Sequence, residues 1–274
     1  MTDIALPART VAGKPGATAF RASVTAWFVT AAVGHGIFLA YILAVFFPPL
    51  SQHGLQGLEG LHLPAGFREG DTLGNLAAAS HVLLAAVVIG GGPLQLVPAV
   101  RARWPVFHRW IGRSYALAAV VTSLGGLYMV WTRGTVGGMV NYIAISIDAV
   151  LIVVFAALAV RAAVQRRIAQ HRRWALRLFM AASAVWFFRV GLMGWVMLTG
   201  GLGMDFDAFT GPFLLVLGFA QYGLPLAMLE WYFRCQARPD ASARGLFTLT
   251  LCGLTVYMGI GIFVATMGMW LPRL

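Results

Sequence analysis

Few residues in this chain have chemistry to offer, and they are widely spaced. Four ionisable side chains, His35, His81, Asp148 and Arg189, fall inside long apolar runs. Each costs about 2.5–3.5 kcal/mol or more at the centre of a bilayer, so each needs a partner or a task. A second group gathers at two basic stretches: His108, Arg109 and Arg113 in FHRWIGR, and His171, Arg172, Arg173 and Arg177 in QHRRWALR. Paired imidazoles on facing helices ligate haem iron, and arginines near a membrane surface neutralise its propionates. His35 with His81, and His108 with His171, are the pairs such chemistry would use. The expected cofactor is haem b, its iron held by His81, His108 or His171, with Arg109, Arg113 and Arg172 beside it and quinone as an exchange partner. No other metal site is expected.

Depth along the helices relates these groups. At about 1.5 Å per residue, Asp148 and Arg189 both lie about 13–15 Å below the same membrane surface. They sit on consecutive, antiparallel spans and are expected to meet. That pair either fixes helix register or borders a polar pocket with His81, Gln95 and Tyr115. His35, flanked by Gly34 and Gly36, lies slightly deeper. His171 and Arg189 are five helical turns apart and so are expected on one face of one helix.

Other templates are missing from the sequence. It has no HExxH, Walker loop or GxSxG. Glu230 precedes Arg234 by four residues, the spacing of a surface ion pair on one helix. Cys235 and Cys252 have no metal or redox spacing and are expected to pack.

The elements that position these residues follow from composition. The 274 residues are 59% hydrophobic and 11% charged, and mean hydropathy is +0.79. Soluble domains carry about 25% charged residues, so this is a membrane protein. The expected fold is an all-α bundle of seven transmembrane helices at about 23–47, 72–100, 112–131, 138–160, 174–198, 209–233 and 245–270. It forms a single domain at 23–274 behind a polar segment at 1–22. Pro48-Pro49 are expected to stop the first helix, and Gly90-Gly91-Gly92-Pro93 to kink or unwind the second.

The net charge of +11 does not point to nucleic acid, because the basic residues fall in short connections between apolar runs. On the N-terminal side lie Arg9, Lys14 and Arg21; Arg101, Arg103, Arg109 and Arg113; Arg161, Arg166, Arg167, Arg172, Arg173 and Arg177; and Arg234, Arg238 and Arg244. The opposite side holds Arg68, Arg133 and Arg273 with Glu59, Glu69, Asp71, Asp205 and Asp207. This asymmetry predicts a cytoplasmic N-terminus and an outside C-terminus, with the arginines against anionic lipid headgroups.

HVLLAAVVIGGGPLQ followed by RARWPVFHRWIGRSY, and later HRRWALRL and WFFRV, resemble a family of bacterial multi-pass membrane proteins, domain of unknown function 2306. The resemblance covers about residues 81–189. It points to His81, Gln95, Arg101, His108, Arg109, Gly112, Arg113, Tyr115, His171, Trp174, Arg177 and Arg189, and implies the bacterial inner membrane. It supplies no activity. His35 lies outside it.

Three functions suit these residues. The first is a haem-b redox module, exchanging electrons with quinone or another redox partner. The second is a transporter or channel for a small solute or proton, with His81, Asp148 and Arg189 at midplane and the Gly90–Pro93 break as a gate. The third is a non-catalytic accessory protein whose polar residues only fix packing.

Overall fold

The computed structural model describes residues 15–61, 66–238 and 240–274. Among these the chain is all helix apart from turns and one isolated bridge between Asp205 and Thr210. The helices are α1 (Pro15–His53), α2 (Thr72–Leu96), α3 (Pro98–Arg103), α4 (Pro105–Arg133), α5 (Gly138–Val164), α6 (Ile168–Ala182), α7 (Ala184–Thr199), α8 (Pro212–Ala237) and α9 (Ala241–Ala265). Among the described residues six are long and apolar enough to cross a membrane, and α6 with α7, bent by 50° at their junction, makes a seventh candidate if the pair is taken as one broken span. Neighbours in sequence pack as antiparallel neighbours, α2 on α4 and α5 on α6, while α7 and α1 both lie along α9. One end of the bundle therefore carries the turns at 97–104 and 165–167, with Arg238 and Asp240 between α8 and α9, and is here called the basic end. The acidic end carries the segments 54–61 and 66–71 and the turns at 134–137 and 200–211.

Several expected boundaries shift. α1 starts at Pro15, inside the segment expected to be a polar leader to the first span, and buries Phe20. It also continues through Pro48-Pro49 to His53. Its last turn is held without those two N–H donors. The Ser51 hydroxyl donates to the Pro48 carbonyl at 2.9 Å, and the following 3-10 turn folds Gly57 onto the Pro49 carbonyl, where no Cβ fits.

α2 likewise runs through Gly90–Pro93 without unwinding. The glycines serve close packing instead. A Cβ at Gly90 would stand 3.0 Å from Leu39 of α1, and one at Gly92 would stand 3.0 Å from Phe179 of α6 and 3.3 Å from Tyr115 of α4. Three helices thus meet on one bare patch of α2, as small residues allow in lipid. The chain turns only at Val97, where Pro98 starts α3.

The basic connections are also helical. His108 and Arg109 lie in the first turns of α4, and His171 and Arg172 in the first turn of α6. The turn between α5 and α6 is only Gln165–Arg167, with Arg166 in the left-handed region at φ 58°.

The expected fifth helix is two helices. Ser183 adopts φ −91°, ψ 0°. Its carbonyl accepts from both Trp186 N–H at 3.0 Å and Phe187 N–H at 2.9 Å. That mixture of 3-10 and α bonding marks a hinge-like discontinuity. After the bend α7 leaves α5 and seats on α9, where Gly261 meets the Val190 carbonyl with no room for a Cβ.

Candidate functional site

At the centre of the bundle, His35 closes the break. Its Nδ1 lies 2.8 Å from the Ala31 carbonyl and its Nε2 3.1 Å from the Ser183 hydroxyl. A carbonyl only accepts, so Nδ1 carries the proton and the serine O–H donates to Nε2. The ring is 1% exposed and packs on Trp186, with centroids 4.1 Å apart, and on Phe179. Both nitrogens are used, so His35 is not presented for iron. His81 faces another way. Its Nδ1–H donates to the Thr122 carbonyl of α4 at 3.0 Å, with the ring edge against Gly126. The two imidazoles do not form the facing pair expected of them.

Asp148 and Arg189 do not meet either. The Arg189 Nη1 donates to the Val185 carbonyl of its own helix at 3.1 Å, and the guanidinium lies over the Phe38 ring of α1 at 5.4 Å. His81 and Tyr41 are within its electrostatic reach. Asp148, 7% exposed, sits on α5 on the side of α8, near Tyr222. The bend at Ser183 is the reason, because it turns α7 away from α5 halfway along. The same bend breaks the continuous face expected to join His171 to Arg189.

The Asp148 Oδ1 is buried and has no hydrogen-bond partner among the described residues. One helical turn toward the acidic end is Ala144, whose Cβ faces Gly218 of α8. Ala144 and Gly218 also line a cavity of about 330 Å³ between α5, α7 and α8, with Asn141, Phe188, Phe209 and Leu214 among its walls. The 200–211 turn roofs it. There the Asp205 Oδ1 accepts from the Asp207 and Ala208 N–H groups at 3.0 and 2.9 Å, and Phe209 is held at φ 51°. A left-handed non-glycine residue costs about 1–2 kcal/mol, and here it brings the Phe209 ring to 6.4 Å from Phe188.

At the basic end, Gln95 donates to the His108 carbonyl at 3.1 Å, and Gly112 admits the Gln95 side chain. The His108 Nδ1 is buried without a partner, and His171 lies within electrostatic reach. The His171 Nδ1–H donates to the Ala159 carbonyl at 3.0 Å. Tyr115 packs on Gly91 and Gly92 with its hydroxyl unpartnered. Arg113 lies over Trp110, and Arg109 and Arg172 are exposed. Arg177 bonds Glu230 of α8 at 2.6 Å and stacks on Trp174 and Phe233. Glu230 therefore ties α8 to α6 and is not spent on Arg234 of its own helix.

A haem would need space between paired imidazoles. A second cavity of about 330 Å³ opens between α2 and α4, and neither cavity is lined by a histidine. Leu39, Tyr115 and Phe179 fill the joint at Gly90–Gly92. Only His108 with His171 retains the makings of a ligand pair. Among the described residues no group of three or more His, Cys, Asp or Glu is placed to hold a metal ion.

The sequence reading missed a clamp at the acidic end. The Arg133 side chain is fully buried and reaches the Asp71 carboxylate at 2.7 Å, Asn75 Oδ1 at 2.7 Å and the Gly66 carbonyl at 3.0 Å. Arg68 donates to the Arg133 carbonyl. Asp71 also caps α2 by accepting from Gly74 N–H at 2.9 Å. That N–H and the Arg133 guanidinium hold its carboxyl below the usual range. An aspartate just before Thr72 was a legible cap signal; its partner 62 residues on was not.

Residues 78–211 match the family model described as Predicted membrane protein (DUF2306). The match runs from α2 to the turn before α8 and contains the break at Ser183. No curated protein and no solved structure matches the chain.

Proposed function

We propose that this chain is a bacterial inner-membrane transport protein for a small cationic solute or a proton, with its basic end toward the cytoplasm. The observation that carries the reading is the discontinuous span α6–α7. Transport sites form where a membrane helix is interrupted near midplane and irregular backbone is buried in protein. Here the interruption is sealed by the His35–Ser183 hydrogen bond. On the α5–α8 side of the bundle, Asp148 offers a buried carboxyl oxygen without a partner. Such a group is stable only with a proton or a cation on it. The site is therefore Asp148 with Tyr222, in place of the expected His81, Asp148 and Arg189. The test is flux in proteoliposomes carrying an internal pH dye and a potassium diffusion potential. Wild-type protein should dissipate the pH gradient, and Asp148→Asn should not, with unchanged far-ultraviolet circular dichroism. Equal rates in both, or uptake of neither protons nor labelled ethylammonium above empty vesicles, would exclude the reading.

A second reading, the haem-b redox module with quinone as partner, is favoured by one observation. The His171 Nδ1–H is committed to a backbone carbonyl beside His108, the arrangement that orients an imidazole to offer Nε2 to a metal. Bound there, haem would supply one-electron chemistry, while the chain would orient His171 and neutralise charge with Arg109, Arg113 and Arg172. An absorption spectrum of protein produced with haem available decides it. A reduced alpha band lost in His171→Ala favours redox, and a flat visible region removes it.

A further inference from the structure

We infer that the cavity between α5, α7 and α8 is a binding site for a small organic ammonium ion, with Asp148 as its counter-charge. This rests on the transport reading and names the class of substrate.

Three features of the site lead there. The cavity, at about 330 Å³, is at the lower end of the range of small-molecule sites, about 300–1,000 Å³. Its walls are apolar and aromatic, Phe188 and Phe209 with Leu214, and carry no basic residue. Its floor is Ala144 against Gly218. One helical turn beneath that floor on each helix stand Asp148 and Tyr222. The floor is thus made of the two smallest residues, and the next layer holds a carboxyl oxygen that no described residue satisfies.

The ligand class follows from what the walls lack. A bare calcium ion takes six to eight oxygen ligands, and magnesium keeps several waters. Asn141, Thr210 and the Asp148–Tyr222 layer fall short of that set, and no metal-holding group occurs among the described residues. An alkylammonium ion brings its own apolar surface and asks for aromatic faces and one anion. The roof turn, whose Phe209 and Thr210 line the cavity, also carries Asp205 and Asp207, exposed and without a basic neighbour in the same turn. An anionic ligand would find no cation in the cavity walls.

Full-length protein in nanodiscs, titrated with tetramethylammonium and with ethylammonium, tests this by thermal shift and by equilibrium binding. Saturable binding of at least one is expected. Asp148→Asn should weaken it at least tenfold. Phe209→Ala, an edit in the roof turn outside the helices, should weaken it severalfold with unchanged far-ultraviolet circular dichroism. Equal affinity in wild type and Asp148→Asn, or no saturable binding of either ion by folded wild-type protein, overturns the inference. The flux assay, run with protons and with labelled ethylammonium, separates the two readings. Flux without ammonium binding keeps transport and rejects this ligand, whereas ammonium binding without flux keeps the site and rejects transport.

Discussion

The His35 Nε2 accepts a hydrogen bond from the Ser183 hydroxyl at 3.1 Å, across 148 residues of sequence, at the point where the bent span changes direction. A first-helix side chain thus completes the bonding of a break in another helix. The serine also satisfies an imidazole that lies wholly inside the protein.

Removing the serine hydroxyl leaves that nitrogen unpaired. Ser183→Ala should cost about 1–3 kcal/mol, read as a lowered Tm in detergent. His35→Phe in the Ser183→Ala background should add less than it does alone, and strictly additive effects would mean the bond carries no coupling.

Acid should loosen the acidic end first. Asp71 is held below the usual carboxylate range by Gly74 N–H and then Arg133. Its contribution is therefore complete above the ordinary aspartate value of about 3.9 and fades as pH falls through the lower folded value. Tm measured from pH 7 to pH 3 should fall at the low end in wild-type protein, and less steeply in Asp71→Asn. A parallel fall in both would clear Asp71.

Glycine substitutions should rank by what a methyl meets. Gly261→Ala drives a carbon into the Val190 carbonyl, and Gly34→Ala into Trp186 and Ile262, whereas Gly36 and Gly223 face open space. The first two should cost about 1–3 kcal/mol or more. The last two should be neutral or mildly stabilising, since alanine favours helix over glycine by up to about 1 kcal/mol. Comparable Tm losses at all four would contradict this packing.

Arg177 and Glu230 join α6 to α8 at the basic end, but the glutamate side chain is 40% exposed. Solvent screens such a pair, so Glu230→Gln should cost under about 1 kcal/mol and weaken further in salt. A double-mutant cycle with Arg177→Gln measures it, and a coupling of several kcal/mol would mean the pair is drier than its exposure implies.

The number of spans was legible because apolar runs of about 20 residues have no other home. The polar contacts were less so. Pro48-Pro49 and Gly90–Pro93 looked like breaks because proline and glycine have helix-breaking propensities, yet both stretches stay helical. In one a serine and a folded-back turn support the end; in the other the glycines admit Leu39, Tyr115 and Phe179. The true break, AASAVW, contains neither residue. Depth counting placed Asp148 and Arg189 at one level, but it carries no azimuth: Asp148 lies on the α8 side of α5, and the bend turns Arg189 toward α1. His108 and His171 lie near one another because their helices start at the same end.

The patch at Gly90–Gly92 has a consequence for the order of assembly. α1 and α4 can settle on it once the chain has been made as far as residue 133. Phe179, which fills the last third, arrives only after α5 has crossed and α6 has begun. Until then that third of the patch lacks its native cover. The bundle can reach its final packing only when its most irregular helix is inserted.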